Sequence, residues 1–177
     1  MPLEGFRAKT LRSAYGDEYY SPQNVVDMIV PYVMRGGYKR IWCPFDKDES
    51  NFVKTFKGLG LEVVNGHIET GHDFFDYQSP EGDIVVSNPP FSKRDAILKR
   101  LYEMDVPFAI TLCFNGLFDS RGRRNLFREH GIELIIPDGR MKFFRPGTEV
   151  LNSPIMQTVY VCHKLLDKQI EFSDFKF

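Results

Sequence analysis

Short apolar runs alternate with longer segments in which apolar residues recur every three or four positions, and this alternation extends over most of the chain. Short runs rich in β-branched residues are typical of strands buried in a parallel sheet, whereas the wider spacing is typical of helices packed on that sheet. Strands that alternate with helices predict an α/β fold. The predicted strands are residues 39–45, 61–65, 84–86, 107–113, 132–136 and 155–161.

The best-defined helix is predicted after Ser21 and Pro22. Serine is a favourable N-cap, and proline suits the first helical position. Gly36 and Gly37 are expected to end this helix. Its predicted buried face comprises Val25, Val26, Ile29, Val30 and Val33.

The chain is organised around residues 82–92, which read GDIVVSNPPFS. The β-branched run predicts a strand that stops at Ser87 and Asn88, because the two following prolines allow neither a strand ladder nor an immediate helix. Ser92 is predicted to cap the next helix. A rigid polar turn is therefore expected at the carboxyl end of a strand, where open α/β sheets bind their ligands.

This turn carries groups suited to a nucleobase amine. The side-chain oxygen of Asn88 and the carbonyl of Pro89 are two acceptors able to converge on one amino group, and Phe91 offers a stacking face. Two acceptors that hold the amine hydrogens favour a pyramidal nitrogen with an exposed lone pair. A plain strand-ending turn is the alternative. An Asn-Pro-Pro-aromatic tetrapeptide arises by chance in about one chain in a thousand of this length, which favours a functional turn.

The segment Ser87-Asn88-Pro89-Pro90-Phe91 resembles the catalytic motif of class I, S-adenosylmethionine-dependent amino-methyltransferases in its adenine-type form. With Ser92 it is similar to the motif of small phage and prophage adenine methyltransferases. The resemblance covers residues 15–163. It implies a three-layer αβα, Rossmann-like fold with a mostly parallel sheet and a C-terminal antiparallel hairpin. We expect one methyltransferase domain over residues 19–177, preceded by an arm of residues 1–18.

The resemblance also implies S-adenosylmethionine as the cofactor, with no metal. Tyr20-Ser21-Pro22 resembles a segment that lines the methionine end of the cofactor, although helix capping explains the same residues. Pro44 and Phe45 match a second segment, in which Cys43 replaces the usual acid and the spaced glycines are absent. Further cofactor contacts are expected from Asp46 to the positively charged amino group, from Ser50 as a helix cap, from His67 to the ribose, and from Asp73 and Phe74 to the adenine.

Two of these expectations carry alternatives. A lone loop histidine such as His67 is more often incidental than a ribose ligand. Only residues 66–82 lie between the second strand and the strand before the turn, so the usual helix at this point is expected to be reduced or lost.

Charge and composition narrow the class of protein. The net charge is −1, so nucleic acid must be bound by a local patch rather than by the whole surface. No apolar stretch approaches membrane-spanning length and no signal peptide is recognisable, which favours a cytoplasmic protein without membrane contact. The three cysteines have no zinc-site spacing and favour a reduced compartment.

The nucleic-acid interface is predicted from the two densest basic clusters, because arginine bridges phosphates and stacks on bases. A solvated helix face is the alternative for the first cluster. The arm, with Arg7, Lys9 and Arg12, is an equally open candidate. The predicted nucleic-acid contacts are Arg121, Arg123, Arg124 and Arg128, and Arg140, Lys142 and Arg145.

The predicted function is methyl transfer to the exocyclic amine of adenine in DNA, with the base flipped out of the duplex. An RNA substrate remains open. So does a non-catalytic binding protein that retains the fold, because the glycine loop is missing. Cytosine or protein-amide substrates are disfavoured, since those relatives carry Ser-Pro-Pro or Tyr in the motif. Between the turn and the last strands there is no room for a large separate recognition domain, so recognition is expected to be minimal, built from short loops, or supplied by a partner subunit or a second copy.

Overall fold

The computed structural model describes residues 19–144, 151–152 and 157–176. The predicted arm and Arg145 lie outside these residues. The helices of the described part are α1 (Gln23–Arg35), α2 (Asn51–Gly58), α3 (Arg94–Glu103) and α4 (Arg121–His130). None of them has the length and apolar composition needed to cross a membrane.

The described strands form a large sheet and a small two-stranded one. Their bounds are β1 Arg40–Cys43, β2 Glu62–Asn65, β3 Ile84–Ser87, β4 Phe108–Cys113, β5 Glu133–Asp138, β6 Phe143–Phe144, β7 Leu151–Asn152, β8 Thr158–His163 and β9 Ile170–Lys176. The large sheet has seven strands in the order β2-β1-β3-β4-β8-β5-β9, and β6 pairs with β7. Strand β8 runs antiparallel to both of its neighbours, and the other pairings in the large sheet are parallel.

The predicted fold class is confirmed: the chain is a three-layer αβα structure. Side chains of a strand alternate between its two faces. Ile41 and Cys43 accordingly pack in the layer that contains α1 and α2, whereas Trp42 between them packs in the layer that contains α3 and α4. Strand β3 divides its side chains in the same way. The sheet is therefore covered on both faces, as a mostly parallel sheet requires.

The end of the chain differs from the prediction. The run over residues 155–161 was expected to be the last strand, but β9 follows it and pairs parallel to β5 at the edge of the sheet. Glu171, Ser173 and Asp174 interrupt the apolar residues of β9. An edge strand tolerates such polar residues because only part of its surface is buried, and the prediction relied on continuous apolar runs.

The helix ends only partly follow the predicted capping. Gly37 adopts a positive φ of 72° after α1, and the Ser50 hydroxyl accepts from Phe52 N–H at 3.2 Å at the start of α2, both as expected. Ser21 does not cap α1, because the helix begins at Gln23 and Pro22 takes the cap position. Ser92 does not cap α3, because a 3₁₀ turn over Phe91–Lys93 precedes that helix.

The prediction for residues 66–82 is confirmed. This connection contains no full helix, only two 3₁₀ turns, Ile68–Thr70 and Phe74–Asp76. His67 caps the first turn and Asp73 caps the second. This short connection passes close to the carboxyl ends of β1 and β3, so its residues reach the site described next.

Candidate active site

A cavity of about 580 Å³ opens at the carboxyl ends of the central parallel strands. Four segments surround it: the start of the described chain, the loop after β1, the connection after β2, and the turn after β3. Backbone hydrogen bonds of 2.9 Å in both directions between Tyr20 and Phe144 bring the first segment to the cavity. Thirteen predicted site residues line it: Tyr20, Ser21, Pro44, Phe45, Asp46, Ser50, His67, Asp73, Phe74, Asn88, Pro89, Pro90 and Phe91.

The side chain of Asn88 is held in one orientation at the cavity wall. Its Nδ2 donates to the carbonyl of Tyr19 at 2.8 Å, and its Oδ1 accepts from the hydroxyl of Thr111. An amide oxygen has two lone pairs, so one acceptor position remains after the Thr111 contact. The half-buried amide is thus fixed with an acceptor available to a donor in the cavity.

Asp46 connects the loop after β1 to the turn after β3. Its carboxylate accepts from the hydroxyl of Ser50 at 2.6 Å, from the hydroxyl of Ser87, and from the backbone N–H of Asn88. Burial raises the pKa of Asp46 to about 6, and these hydrogen bonds oppose the increase. Because three donors already surround its oxygens, the geometry favours a positioning role over the predicted direct pairing with a cofactor amino group.

Two groups of aromatic rings divide the cavity. Phe45 lies against Phe74 with ring centroids 4.9 Å apart, and Phe75 continues this group. Phe91 stacks against Tyr19 at 6.4 Å with an interplanar angle of 21°. The cavity therefore offers two aromatic regions, one beside Asp73 and one beside the turn.

The acid of the first region, Asp73, is already engaged on one side. Its Oδ1 accepts from Phe75 N–H at 3.0 Å, which orients the carboxylate at the cavity wall. His67 is oriented in the same manner, since its Nδ1 accepts from Glu69 N–H at 3.2 Å. An accepting Nδ1 places the ring proton of the neutral histidine on Nε2, which suits a hydroxyl acceptor.

The structure adds cavity residues that were not among the predicted site residues. Lys47 and Glu69 form an ion pair of 2.5 Å at the wall, and the Lys47 Nζ lies 5.9 Å from the ring of Tyr20. Tyr19 holds Asn88 through its carbonyl. The sequence offered one signal for Glu69, which is the acid nearest to His67 along the chain. The other added lining residues are Glu49, Asn51, Ile68, His72, Phe75, Ser92, Lys93, Ile97 and Phe144.

Three of the predicted catalytic and cofactor-binding residues lie away from the cavity surface. Cys43 was expected at the cofactor, but it is fully buried because the alternation along β1 turns its side chain into the core beneath α1 and α2. Pro22 is buried at the start of α1 without lining the cavity. Ser87 is also fully buried, and its hydroxyl serves Asp46 rather than a ligand.

The arginines of α4 do not form the predicted basic patch. Arg123 is only 5% exposed; it contacts Asp95 and donates to the carbonyls of Gly116 and Leu117 at 2.6 and 2.7 Å. The prediction that Arg123 contacts phosphates is therefore wrong, because its guanidinium is committed to the protein.

The other predicted basic contacts are more dispersed than expected. Arg124 donates to the carbonyls of Phe118 and Asp119 at 2.7 and 2.9 Å. Arg128 is exposed in the C-terminal half of α4, whereas Arg121 is exposed at its start, next to the cavity edge of the sheet. Arg140 and Lys142 are exposed after the carboxyl end of β5, at that same edge.

Replacement of Arg123 by alanine is expected to destabilise the fold. It leaves two loop carbonyls and Asp95 without their buried donor, which costs about 2–3 kcal/mol. For a chain of this size the melting temperature should fall by about 5–10 °C. Arg128→Ala on the same helix is the control, since its exposed side chain should leave the melting temperature within about 1 °C. Equal melting temperatures for the two variants would contradict a stabilising role for the buried Arg123 contacts.

The residues present fit S-adenosylmethionine. The Ser21 hydroxyl is buried, lines the cavity and has no hydrogen-bond partner among the described residues, so it is available to a polar ligand. Carboxylates suit an ammonium and ribose hydroxyls, a lysine suits a carboxylate, and the Phe45–Phe74 pair suits a purine ring. A cavity of this size is in the ordinary range for a cofactor of this kind.

Comparison with known proteins establishes the fold. No protein-family model and no curated protein matches the chain. Among solved structures it is similar to a modification subunit assigned to a type I restriction enzyme from Vibrio vulnificus YJ016, with a TM-score of 0.51 and 14% identity. The match covers 91% of this chain and 48% of the other, so the chain spans about half the length of that structure. At this identity the likeness shows the fold alone: the described residues share an α/β architecture with part of that structure.

Proposed function

We propose that the chain is an S-adenosylmethionine-dependent methyltransferase that acts on the exocyclic amine of adenine in DNA. The observation that carries the proposal is Asn88, held by Tyr19 and Thr111 with an acceptor at the cavity wall, beside the aromatic face of Phe91. The structural neighbour is a modification subunit, which supports the same class. It is also a subunit, which supports target recognition with the help of a partner or a second copy.

In this proposal the cofactor supplies a methyl group bound to a positively charged sulfur. The chain binds it between the Phe45–Phe74 region and the start of α1. The Asn88 oxygen and the Pro89 carbonyl accept the two hydrogens of the adenine amine. When bound, the cofactor would supply its methyl group to the amine lone pair, with the C–S bond breaking as the N–C bond forms and its electrons staying on sulfur. The methylated nitrogen would lose one proton to water.

Positioning supplies most of the rate in such a reaction. When two reactants are already held in line, their translational and rotational freedom has been lost on binding, and the chemical step has a lower barrier as a result. The chain provides this through a turn that is fixed at both ends. Asp46 holds the Asn88 N–H, and Thr111 with Tyr19 holds the Asn88 side chain. The base is expected to be flipped from the duplex and stacked on Phe91.

The proposal is tested by titration with S-adenosylmethionine in a calorimeter, followed by transfer of a labelled methyl group to DNA. Binding and transfer to duplex DNA are the expected results. Transfer to transfer RNA in preference to DNA would establish the RNA alternative. No binding of the cofactor would contradict the assignment of the cavity.

Asp73→Ala is expected to weaken cofactor binding by about 1–3 kcal/mol, because it removes a half-buried acceptor beside the purine region. Asp76→Ala is the matched control: Asp76 belongs to the same 3₁₀ turn, but it is exposed and does not line the cavity. Calorimetry should show weaker binding for the first variant only. Unchanged affinity for Asp73→Ala would remove Asp73 from the cofactor site.

A further inference from the structure

The loop between β4 and α4 exposes two aromatic rings beside the active-site turn. Phe114 and Phe118 are each 40% exposed, and their ring centroids lie 6.3 Å apart in an edge-to-face arrangement. Leu117, between them, is fully buried. The loop therefore buries Leu117, rests Phe118 against the core ring of Phe127 at 5.7 Å, and leaves the two larger rings partly exposed side by side.

This exposure is built into the loop. Arg123 donates to the carbonyls of Gly116 and Leu117, and Arg124 donates to the carbonyls of Phe118 and Asp119. Arg94 lies within 3.4 Å of the carbonyls of Asn115 and Gly116. Three guanidinium groups thus hold the loop backbone with both rings outside. A surface fixed before binding loses little conformational entropy when a partner binds.

The position of the loop relates it to the proposed substrate. In the sheet, Ile110 of β4 is in register with Ser87 of β3, and the Thr111 hydroxyl contacts Asn88. Phe114 lies three residues further along this direction, or about 10 Å beyond the level of Asn88. Nucleotides along one DNA strand are spaced by about 3.4 Å, so about three nucleotides span this distance and the loop is within reach of the neighbours of a base held at Asn88.

The charges around the rings favour a polyanion. Arg121 is exposed at the start of α4, directly after the loop, and the partly exposed Arg94 and Arg124 contact the loop backbone. Asp119 is the exposed acid of the loop, and Asp95 is neutralised by Arg123. The surrounding surface is therefore net positive on a chain whose total charge is −1.

We infer that Phe114 and Phe118 form a stacking platform for bases close to the target adenine, with Arg121 placed at the phosphates. This inference rests on the proposed function and adds the surface that receives the nucleic acid. Aromatic rings tolerate any base, since every base has a stacking face. The platform would accordingly support binding without selecting a sequence.

The test is a titration of a fluorescein-labelled duplex whose single target adenine lies at the centre of a short bubble of unpaired bases, so that bases a few positions away can stack on the rings. Binding is measured by anisotropy over a range of salt concentrations. The double variant Phe114→Ala with Phe118→Ala should raise the dissociation constant about tenfold or more, with an unchanged salt slope. Arg121→Ala should lower that slope by about one unit. The affinity for S-adenosylmethionine should stay as in the wild type. The melting temperature should fall only slightly, because the double variant loses the edge-to-face contact of Phe118 with Phe127.

Phe172→Ala is the matched control, because Phe172 is 75% exposed on the edge strand β9. It should leave the dissociation constant unchanged. A double variant within twofold of the wild type, equal weakening by Phe172→Ala, or no duplex binding by the wild type would overturn the platform. Cofactor titration separates the two proposals. If the wild type binds S-adenosylmethionine and methylates DNA, and the double variant binds the duplex as tightly as the wild type, only the platform is contradicted.

Discussion

Asn88→Ala is expected to lower the rate of methyl transfer by at least about a hundredfold, comparable to the loss of one preorganised polar group at other active sites. The change removes the acceptor proposed to hold the adenine amine. Affinity for S-adenosylmethionine should change little, since the aromatic region and Asp73 lie on another wall of the cavity. Single-turnover transfer to duplex DNA, with calorimetry on the same preparations, measures both quantities.

A second variant tests the hydrogen bond that orients Asn88. Thr111→Val keeps the side-chain volume but removes the hydroxyl that holds the Asn88 oxygen, so an intermediate loss of rate is expected. The melting temperature shows whether either variant disturbs the fold, because Thr111 is fully buried. Near-normal turnover in Asn88→Ala would mean that the turn is structural.

Asp46→Asn is expected to have the second-largest effect, a loss of transfer of at least tenfold. An amide cannot accept at both ends, so one of the donors from Ser50, Ser87 and the Asn88 N–H would face another donor. Asp48→Asn is the matched control two residues later, since the Asp48 side chain is 86% exposed. A rate for Asp46→Asn equal to that of Asp48→Asn would exclude the positioning role.

The pKa of Asp46, raised by burial to about 6, predicts a pH dependence of opposite sign for activity and stability. The ionised carboxylate is the form that accepts all three donors, so transfer should fall as the pH drops through about 6. Stability behaves differently, because the folded pKa lies above the unfolded value of 3.8. The stabilising contribution of Asp46 is complete below the unfolded pKa and is lost as the pH rises through about 6.

This linkage is measured as the difference in unfolding free energy between the wild type and Asp46→Asn. Between pH 4 and pH 7, the unfolding free energy of the wild type should fall relative to that of Asp46→Asn by up to about 3 kcal/mol. This is the size expected for a shift of about two pKa units. A difference independent of pH would show that Asp46 titrates in the folded state as it does in the unfolded chain.

The order of elements was predictable because parallel strands and amphipathic helices have strong periodic signals. The β-branched run of β3 and the two prolines after it located the turn, and the cavity lies beside it. Thirteen predicted site residues line that cavity. The prediction for Cys43 was wrong because side chains alternate between the two faces of a strand. Whether the last residue of β1 faces the core or the cavity therefore depends on the exact register, which the sequence does not show.

The arginines show a second limit of sequence-based prediction. Arg121, Arg123, Arg124 and Arg128 are close in sequence, but a helix turns successive side chains by about 100° and thus separates them in space. Arg123 faces α3 and meets Asp95, a contact between residues distant in sequence. The exposure of Phe114 and Phe118 could not be predicted either. The sequence does not show whether an apolar loop residue is buried, as Leu117 is, or exposed.

The most direct test of the central claim is identification of the methylated product. Duplex DNA is incubated with the protein and S-adenosylmethionine carrying a labelled methyl group, digested to nucleosides, and analysed by mass spectrometry. We predict labelled N6-methyl-2′-deoxyadenosine from the wild type and none above background from Asn88→Ala. Labelled methyl on another nucleoside, or no transfer to DNA by a protein that binds the cofactor, would contradict the account.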